Sequence, residues 1–361
     1  MRIVQIIDSL EAGGAERMAV NYANALVGRI AFSGLVVTRK EGILKKQLDA
    51  KVSYLFLKKT KSIDFGAVFR LRKFIKDNKI DFIHAHSSSF FIAVLVKITF
   101  PKIQIIWHDH YGISQDLNAR KNISLKIGSL FFAGSIAVNL ALKKWAESYL
   151  WSSNIVYFSN FIMSSFFSDE ELPLQGVDDK RIICVANLRE QKNHKLLISA
   201  ANIICKKYPD WTFHLFGKDF EDDYSKEIMN LILNLKLKNN VFFYGTTEHV
   251  VSALKQCNIA VLSSLSEGLP LAILEYGRCK MPVVATNVGE VSSVINSGKE
   301  GLVVESDNLE QFSNSIIKFI ENEEYRNKMG EALFRKIELS FSEQSIIKEY
   351  LYWLNSLSNF R

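Results

Sequence analysis

Several things are scarce in this 361-residue chain. Five Pro and 18 Gly exclude a collagen-like or proline-rich protein. The longest weakly polar stretch, Ile127 to Leu142, is 16 residues and is interrupted by Ser129, Ser135 and Asn139. A spanning helix needs about 20 apolar residues, so an integral membrane protein is not expected. The opening MRIVQIIDSLEAGG has too short an apolar run for a signal peptide, and Asp8 and Glu11 follow it. Only four cysteines occur, Cys184, Cys205, Cys257 and Cys279, with no CxxC pair, and three sit in apolar surroundings. They read as buried thiols of a reducing cytoplasm rather than disulfides or zinc ligands. Neither GxGxxG nor GxxxxGK is found, which disfavours a dinucleotide or Walker-type site.

What remains is a globular composition, 48% hydrophobic and 23% charged, at a length that favours two domains. Charge is uneven. Residues 1–168 carry 23 Lys and Arg against 11 Asp and Glu, net +12, and the rest carry 22 against 27, net −5. Solvated faces account for much of this, yet a basic half beside an acidic half points to an anionic partner for the first half.

Short β-branched runs alternate with amphipathic stretches of helix length. The first half offers strands at Ile3–Ile7, Leu35–Thr38, Val52–Leu57, Asp81–His84, Gln104–Trp107, Ser135–Val138 and Asn154–Phe158. The second offers Arg181–Val185, Thr212–Phe216, Val241–Tyr244, Ile259–Leu262, Pro282–Ala285 and Leu302–Val304. Several are apolar throughout, as parallel strands covered on both faces are. Helical patterns run over Ala15–Val27, Ala67–Asn78, His194–Lys207 and Glu343–Asn359. The alternation predicts two doubly wound α/β domains, residues 1–165 and 181–340, with a polar, acidic linker at 166–180 and a closing helix in 341–361 that packs back on the first domain. Ligands in such folds sit outside the carboxyl ends of the strands, so the strand-end loops are where chemistry is expected.

Four loops stand out. Gly13 and Gly14 open the first helix, where backbone N–H groups and the helix dipole suit an anion; a simple tight turn explains them equally well. IHAHSSS and IIWHDHYG place His84, His86, His108 and His110 at neighbouring strand ends. Two HxH pairs suit metal chelation, but without an accompanying acid or thiol a polar or acid/base role is favoured. In VANLREQKNH, Lys192 and Arg189 lie just before a helix, a phosphate-binding arrangement. In SSLSEGLPLAILEYG, Glu267 precedes Gly268, Leu269 and Pro270 at a helix start, and Glu275 follows two turns on. Two carboxylates so placed suit the paired hydroxyls of a ribose and a pyranose.

These segments, with TNVGE and GLVV further on, carry a resemblance over essentially the whole chain. It resembles the retaining glycosyltransferases of family 4, the "glycosyl transferases group 1" set, whose GT-B fold has two Rossmann-like domains facing across a cleft. The resemblance implies a nucleotide-sugar donor, with the Gly13-Gly14 loop near its phosphates and Lys192 on the diphosphate. It implies His108 and Glu267, with the amides after it, on the transferred sugar, and Glu275 on the ribose. Where the family has an arginine, Asn187 stands here, and Arg189 is the nearest substitute. The Gly-Gly-x-x-Glu after the family's Thr is replaced by Gly289-Glu290 followed by Ser292 and Ser293. No Asp-x-Asp occurs, in keeping with a metal-independent reaction.

The expectation is a transferase with no cofactor beyond its nucleotide-sugar co-substrate and no metal. Its acceptor is expected to be a glycan or lipid-diphosphate-linked chain of a cell-surface polysaccharide. An anionic membrane surface is a candidate partner, with location cytoplasmic or peripheral on the inner membrane face. Phe90-Phe91 and Phe131-Phe132 serve either insertion or the core. A nucleotide-sugar 2-epimerase, a non-catalytic transferase subunit and a nucleic-acid binder are the competing readings. Glu267 and Glu275 with GGAER, an intact Lys192, and the lack of any nucleic-acid motif weigh against them in turn.

Overall fold

A computed structural model of the chain describes residues 1–111, 117, 120, 122–163, 172–247 and 249–358. It divides into two units: Met1–Met163 with Glu343–Arg361, and Ser164–Ser342. The first has seven strands: β1 (Arg2–Ser9), β2 (Phe32–Lys40), β3 (Ser53–Phe56), β4 (Phe82–His86), β5 (Gln104–Asp109), β6 (Phe132–Ala137) and β7 (Ile155–Tyr157). They form one parallel sheet in the order β3-β2-β1-β4-β5-β6-β7. Its helices are α1 (Gly14–Ala25), α2 (Phe65–Asp77), α3 (Phe90–Thr99), α4 (Ile123–Gly128) and α5 (Leu140–Tyr149).

The second unit has β8 (Arg181–Val185), β9 (Thr212–Phe216), β10 (Val241–Phe243), β11 (Ile259–Leu262), β12 (Val283–Thr286) and β13 (Leu302–Val304), parallel in the order β10-β9-β8-β11-β12-β13. Its helices are α6 (His194–Lys207), α7 (Asp223–Asn234), α8 (Val250–Lys255), α9 (Leu271–Arg278), α10 (Val291–Val294), α11 (Leu309–Glu321) and α12 (Glu323–Ser340). Each unit is a Rossmann-like domain. The fully buried β1, β4 and β5 residues Ile3, Ile6, Ile83 and Ile105, and β11 residues Ile259 and Val261, show why these strands read as continuous apolar runs.

α13 (Glu343–Ser358) lies on the first domain. Ile346, Ile347, Tyr350, Leu354 and Leu357 repeat at helical spacing and are all buried. Each full burial of such a side chain contributes roughly 1.5–3 kcal/mol. Trp353 lies over Gly134 of β6, where an added Cβ would come within 2.6 Å of its ring, and Arg29 pairs with Glu343 at 2.9 Å. Of the expected linker, residues 166–171 lie outside the described residues. Residues 172–180 are fastened to the second domain, because buried Arg181 donates to the carbonyls of Leu174, Gln175 and Gly176. The four cysteines form no disulfide, and burial pushes the Cys184, Cys205 and Cys257 thiols up to about 12.

The strand order reverses between β1 and β4 in one sheet and between β8 and β11 in the other. Such switch points leave a crevice beyond the carboxyl ends of the strands. The segments singled out in the sequence follow those four strands: Gly13-Gly14 after β1, the first histidine pair on β4, Arg189 and Lys192 after β8, and Glu267 after β11.

Candidate active site

In the second domain, Lys192 ends a single 3-10 turn, Glu190–Lys192, directly before α6. Its Nζ meets Glu267 Oε1 at 2.5 Å, and Ser264 Oγ donates to the same oxygen at 2.6 Å. Glu267 is buried, and Lys192 is 19% exposed at its side chain. The two loops are stitched together as well: Leu265 N–H donates to the Gln191 carbonyl, and Ser263 Oγ to the Lys192 carbonyl. Gly289 closes over this corner at φ +55, where a Cβ would fall 2.2 Å from the Glu267 carbonyl; Glu290 N–H donates to the Gly268 carbonyl. Only glycine meets both demands. The TNVGE segment thus fixes the backbone beneath Glu267 and Gly268.

α9 begins at Leu271 with Pro270 as its N-cap, and no side chain caps its positive end. Leu269 is buried, and Glu275 lies half-buried on a helix whose Ile273, Leu274, Tyr276 and Gly277 face the core. Tyr276 ties this helix to the sheet, accepting from Val185 N–H at 2.7 Å.

The expected phosphate site at the start of α6 needs correcting. Its N–H groups are not free. Asn193, at φ 48, caps the helix by accepting from Leu196 N–H, and His194 N–H donates to the Tyr224 hydroxyl at 2.8 Å. An anion there would meet side chains, not that helix end. Arg189 is exposed and lies over the Phe220 ring at 4.6 Å, with Lys218 over the same ring at 5.1 Å. Asn187, at the family's arginine position, accepts from Lys218 N–H at 2.7 Å. Lys218, on the loop after β9, was missed in the sequence; its signal was a second cation following a strand end.

In the first domain the histidines lie within or directly after the strands rather than on loops, because β4 pairs with β5 through His86 and His108. His84, His86 and His108 are buried. His84 Nε2 meets His108 Nδ1 at 3.0 Å, and His86 Nδ1 meets His110 Nε2 at 2.9 Å. Gln5 Oε1 closes His86 Nε2 at 2.9 Å, and the Tyr350 hydroxyl closes His84 Nδ1 at 3.0 Å. His84 and His86 stack at 4.4 Å between ring centres. Burial, and the neighbouring imidazoles after it, hold His84, His86 and His108 well below the usual histidine range; burial takes His110 to about 3. All four are neutral at pH 7.

Three of these residues offer ring nitrogens within 4.8 Å of one another, close enough to weigh as metal ligands. Both nitrogens of His84 and both of His86 already have hydrogen-bond partners, which is the pattern of a hydrogen-bonded network. Beside it, Asp109 receives Arg120 through both oxygens, at 2.5 and 2.9 Å, and Arg120 is sandwiched by the Tyr111 and Trp145 rings.

Gly13 caps α1 in an extended conformation, and the Glu16 carboxylate folds against it; nothing lies within 4 Å of a Cβ built on Gly14. A groove of about 920 Å³ opens at the other end of the first sheet, by Lys97, Gln104 and Leu357, and takes in none of the expected site residues.

Residues 12–164 match the family model "Glycosyltransferase Family 4", and residues 169–335 match "Glycosyl transferases group 1". The chain is a GT-B glycosyltransferase of group 1/family 4. It is 25% identical over 349 residues to an uncharacterized glycosyltransferase of Haemophilus influenzae, covering 94% of this chain and 95% of that one. It is 23% identical over 335 residues to the UDP-Gal:alpha-D-GlcNAc-diphosphoundecaprenol alpha-1,3-galactosyltransferase of Escherichia coli, covering 85% and 84%. Among solved structures, Anabaena HepE in complex with UDP and glucose matches at TM-score 0.82 with 17% identity, over 99% of this chain and 100% of that one.

Proposed function

We propose that this glycosyltransferase moves a sugar, with retention, from a UDP- or GDP-sugar to a glycan or lipid-diphosphate-linked acceptor in cell-surface polysaccharide biosynthesis. The observation that carries the reading is the joining of Lys192 and Glu267 beside the uncapped start of α9. That corner offers a cation and helix N–H groups for a diphosphate and a carboxylate for sugar hydroxyls. In a front-face displacement through an oxocarbenium-like state, the barrier is charge on the departing diphosphate. Lys192, Arg189 and the start of α9 answer it electrostatically. Glu275, one turn along α9, takes the ribose. The acceptor named for the E. coli relative, a sugar on a lipid diphosphate, supports the acceptor class.

The test is incubation with a panel of nucleotide sugars and lipid-diphosphate acceptors, with and without EDTA. Transfer or slow donor hydrolysis with one donor, unchanged by EDTA, is expected. Epimerisation, or no turnover with any donor, overturns the assignment. Loss on EDTA restored by zinc or manganese overturns metal independence and returns the histidines to the role of ligands.

A separate observation supports a membrane-facing first domain. Phe90 and Phe132 are core residues that touch one another, so they insert nowhere. The exposed aromatics among the domain's described residues include Phe65 and Phe69 on α2, 70% and 62% exposed, with Lys73 and Lys76 exposed on the same helix. Rings flanked by cations suit an anionic bilayer surface. No helix among the described residues is long and apolar enough to cross a membrane.

A further inference from the structure

The histidine network has a direction, and the direction sets what His108 can do. Tyr350 is fully buried on α13, and its phenol is pushed far up by burial, so it keeps its proton. Its hydroxyl faces His84 Nδ1 at 3.0 Å. A buried O–H with a ring nitrogen as neighbour donates to it, because an unmet donor costs roughly 1–3 kcal/mol. His84 is neutral and carries one proton. With Nδ1 accepting, that proton is on Nε2, which faces His108 Nδ1 at 3.0 Å. His108 is neutral too, so with Nδ1 accepting its own proton is on Nε2. That atom is buried and has no hydrogen-bond partner among the described residues. The chain Tyr350 to His84 to His108 therefore ends in an unspent N–H donor.

The second pair is closed by Gln5, whose side chain also meets the Tyr350 hydroxyl. Gln5 Oε1 accepts from His86 Nε2, so His86 Nδ1 accepts from His110 Nε2. Its rings stack on the first pair, His84 against His86 at 4.4 Å and His108 against His110 at 4.0 Å, and Tyr22 meets His84 and His108 edge-on. These contacts fix ring planes without supplying a proton to the first chain.

We propose that Tyr350 and His84 are positioning residues that hold His108 in its Nε2–H tautomer, so that His108 meets a substrate oxygen as a hydrogen-bond donor and not as a base. The inference rests on the transferase reading for the substrate, but not for the tautomer. It gives the last helix a part in the chemistry of a residue 242 positions away in the chain.

The experiment labels the imidazole nitrogens with ¹⁵N and reads the His108 tautomer by NMR in the full-length protein. Wild type is expected to show protonated Nε2 and bare Nδ1 at His108. Tyr350→Phe keeps the ring and its packing but removes the donor, and both His84 and His108 should then become tautomer mixtures. In transfer assays kcat should fall about tenfold in Tyr350→Phe with donor KM and nucleotide affinity unchanged. His84→Gln, whose amide can still donate to His108 Nδ1, should keep more activity than His84→Leu. A His108 found with its proton on Nδ1 in wild type, or unmoved by Tyr350→Phe in a protein of unchanged fold, overturns the proposal. If no donor is turned over by wild type, the transferase reading fails by itself and the tautomer measurement still decides this one.

Discussion

Lys192 and Glu267, 75 positions apart, neutralise one another at 2.5 Å, while Ser264 holds the same carboxylate oxygen. On the proposed reading a donor diphosphate arriving at Lys192 shares it with Glu267, so removing either side chain changes the charge that the other faces.

Lys192→Ala should abolish transfer and weaken nucleoside-diphosphate binding about tenfold to a hundredfold, the loss of one charge-assisted contact. It should also lower stability, because the nearly buried Glu267 carboxylate is left without its cation. Losing one partner of a fully buried pair costs about 3–5 kcal/mol, and the part-exposed lysine brings this toward or below the lower figure. The double variant Lys192→Met, Glu267→Gln should recover the melting temperature but not the affinity. Calorimetric titration and thermal melts of the three proteins check this, and recovery of both together would refute the diphosphate role.

Glu275→Gln should weaken nucleotide binding even without a sugar attached. Glu267→Gln should leave UDP or GDP affinity nearly intact and cut turnover. Titration with the nucleotide alone, set beside initial rates, separates the two; the reverse pattern would exchange their roles.

Stability should fall steeply in mild acid. Six histidines, His84, His86, His108, His110, His194 and His214, have folded values depressed by burial, to about 4 for the last two. The unfolded chain binds protons near pH 6.5 and the native one does not, so their stabilisation is complete above about 6.5 and is lost as pH falls below it. Each contributes a slope approaching about 1.4 kcal/mol per pH unit. Asp109, whose carboxyl burial raises, works in the opposite sense, one group against six. Melting curves from pH 8 to pH 5 should show a plateau and then a collapse. A flat melting temperature down to pH 5 would mean that the histidines are hydrated and that the network is not as described.

Binding to vesicles should be reversible and salt-sensitive, and should need anionic lipid. Phe65→Ser with Phe69→Ser should weaken it without lowering the melting temperature, since both rings are exposed. Replacing Lys73 and Lys76 should remove about 1 kcal/mol each at low salt. Co-sedimentation with neutral and anionic vesicles is the measurement; equal binding to both, or none to anionic vesicles at low salt, would leave an acceptor taken from solution.

Much of the fold was legible because parallel strands covered on both faces must be apolar throughout. Runs such as IIW before His108 and IAVL before the Glu267 loop announce themselves locally. The proposed donor corner is local in part, as Glu267 and Glu275 share one loop and helix, while Lys192 joins them from 75 positions away. The network around His108 was not. Its histidines are visible as two HxH pairs, but Tyr350 reaches them from 266 positions away from His84, and no local pattern encodes that contact. The capped start of α6 could have been read from Asn193, an N-cap residue placed directly before the periodic run. The bare rings of α2 were readable too: Phe65 and Phe69 fall four apart, on a stripe separate from Val68, Leu71 and Ile75.

The closing helix also sets a timetable. Residues 1–163 leave the ribosome long before Glu343–Ser358, and the whole second domain is made in between. At about 5–20 residues per second that is a wait on the order of 10 s or more, with the β6 face bare where Trp353 will lie and the His84 ring without its phenol. Of the two units, the one made first is thus finished last. Deletion of α13 would be felt first in the unit that holds β1.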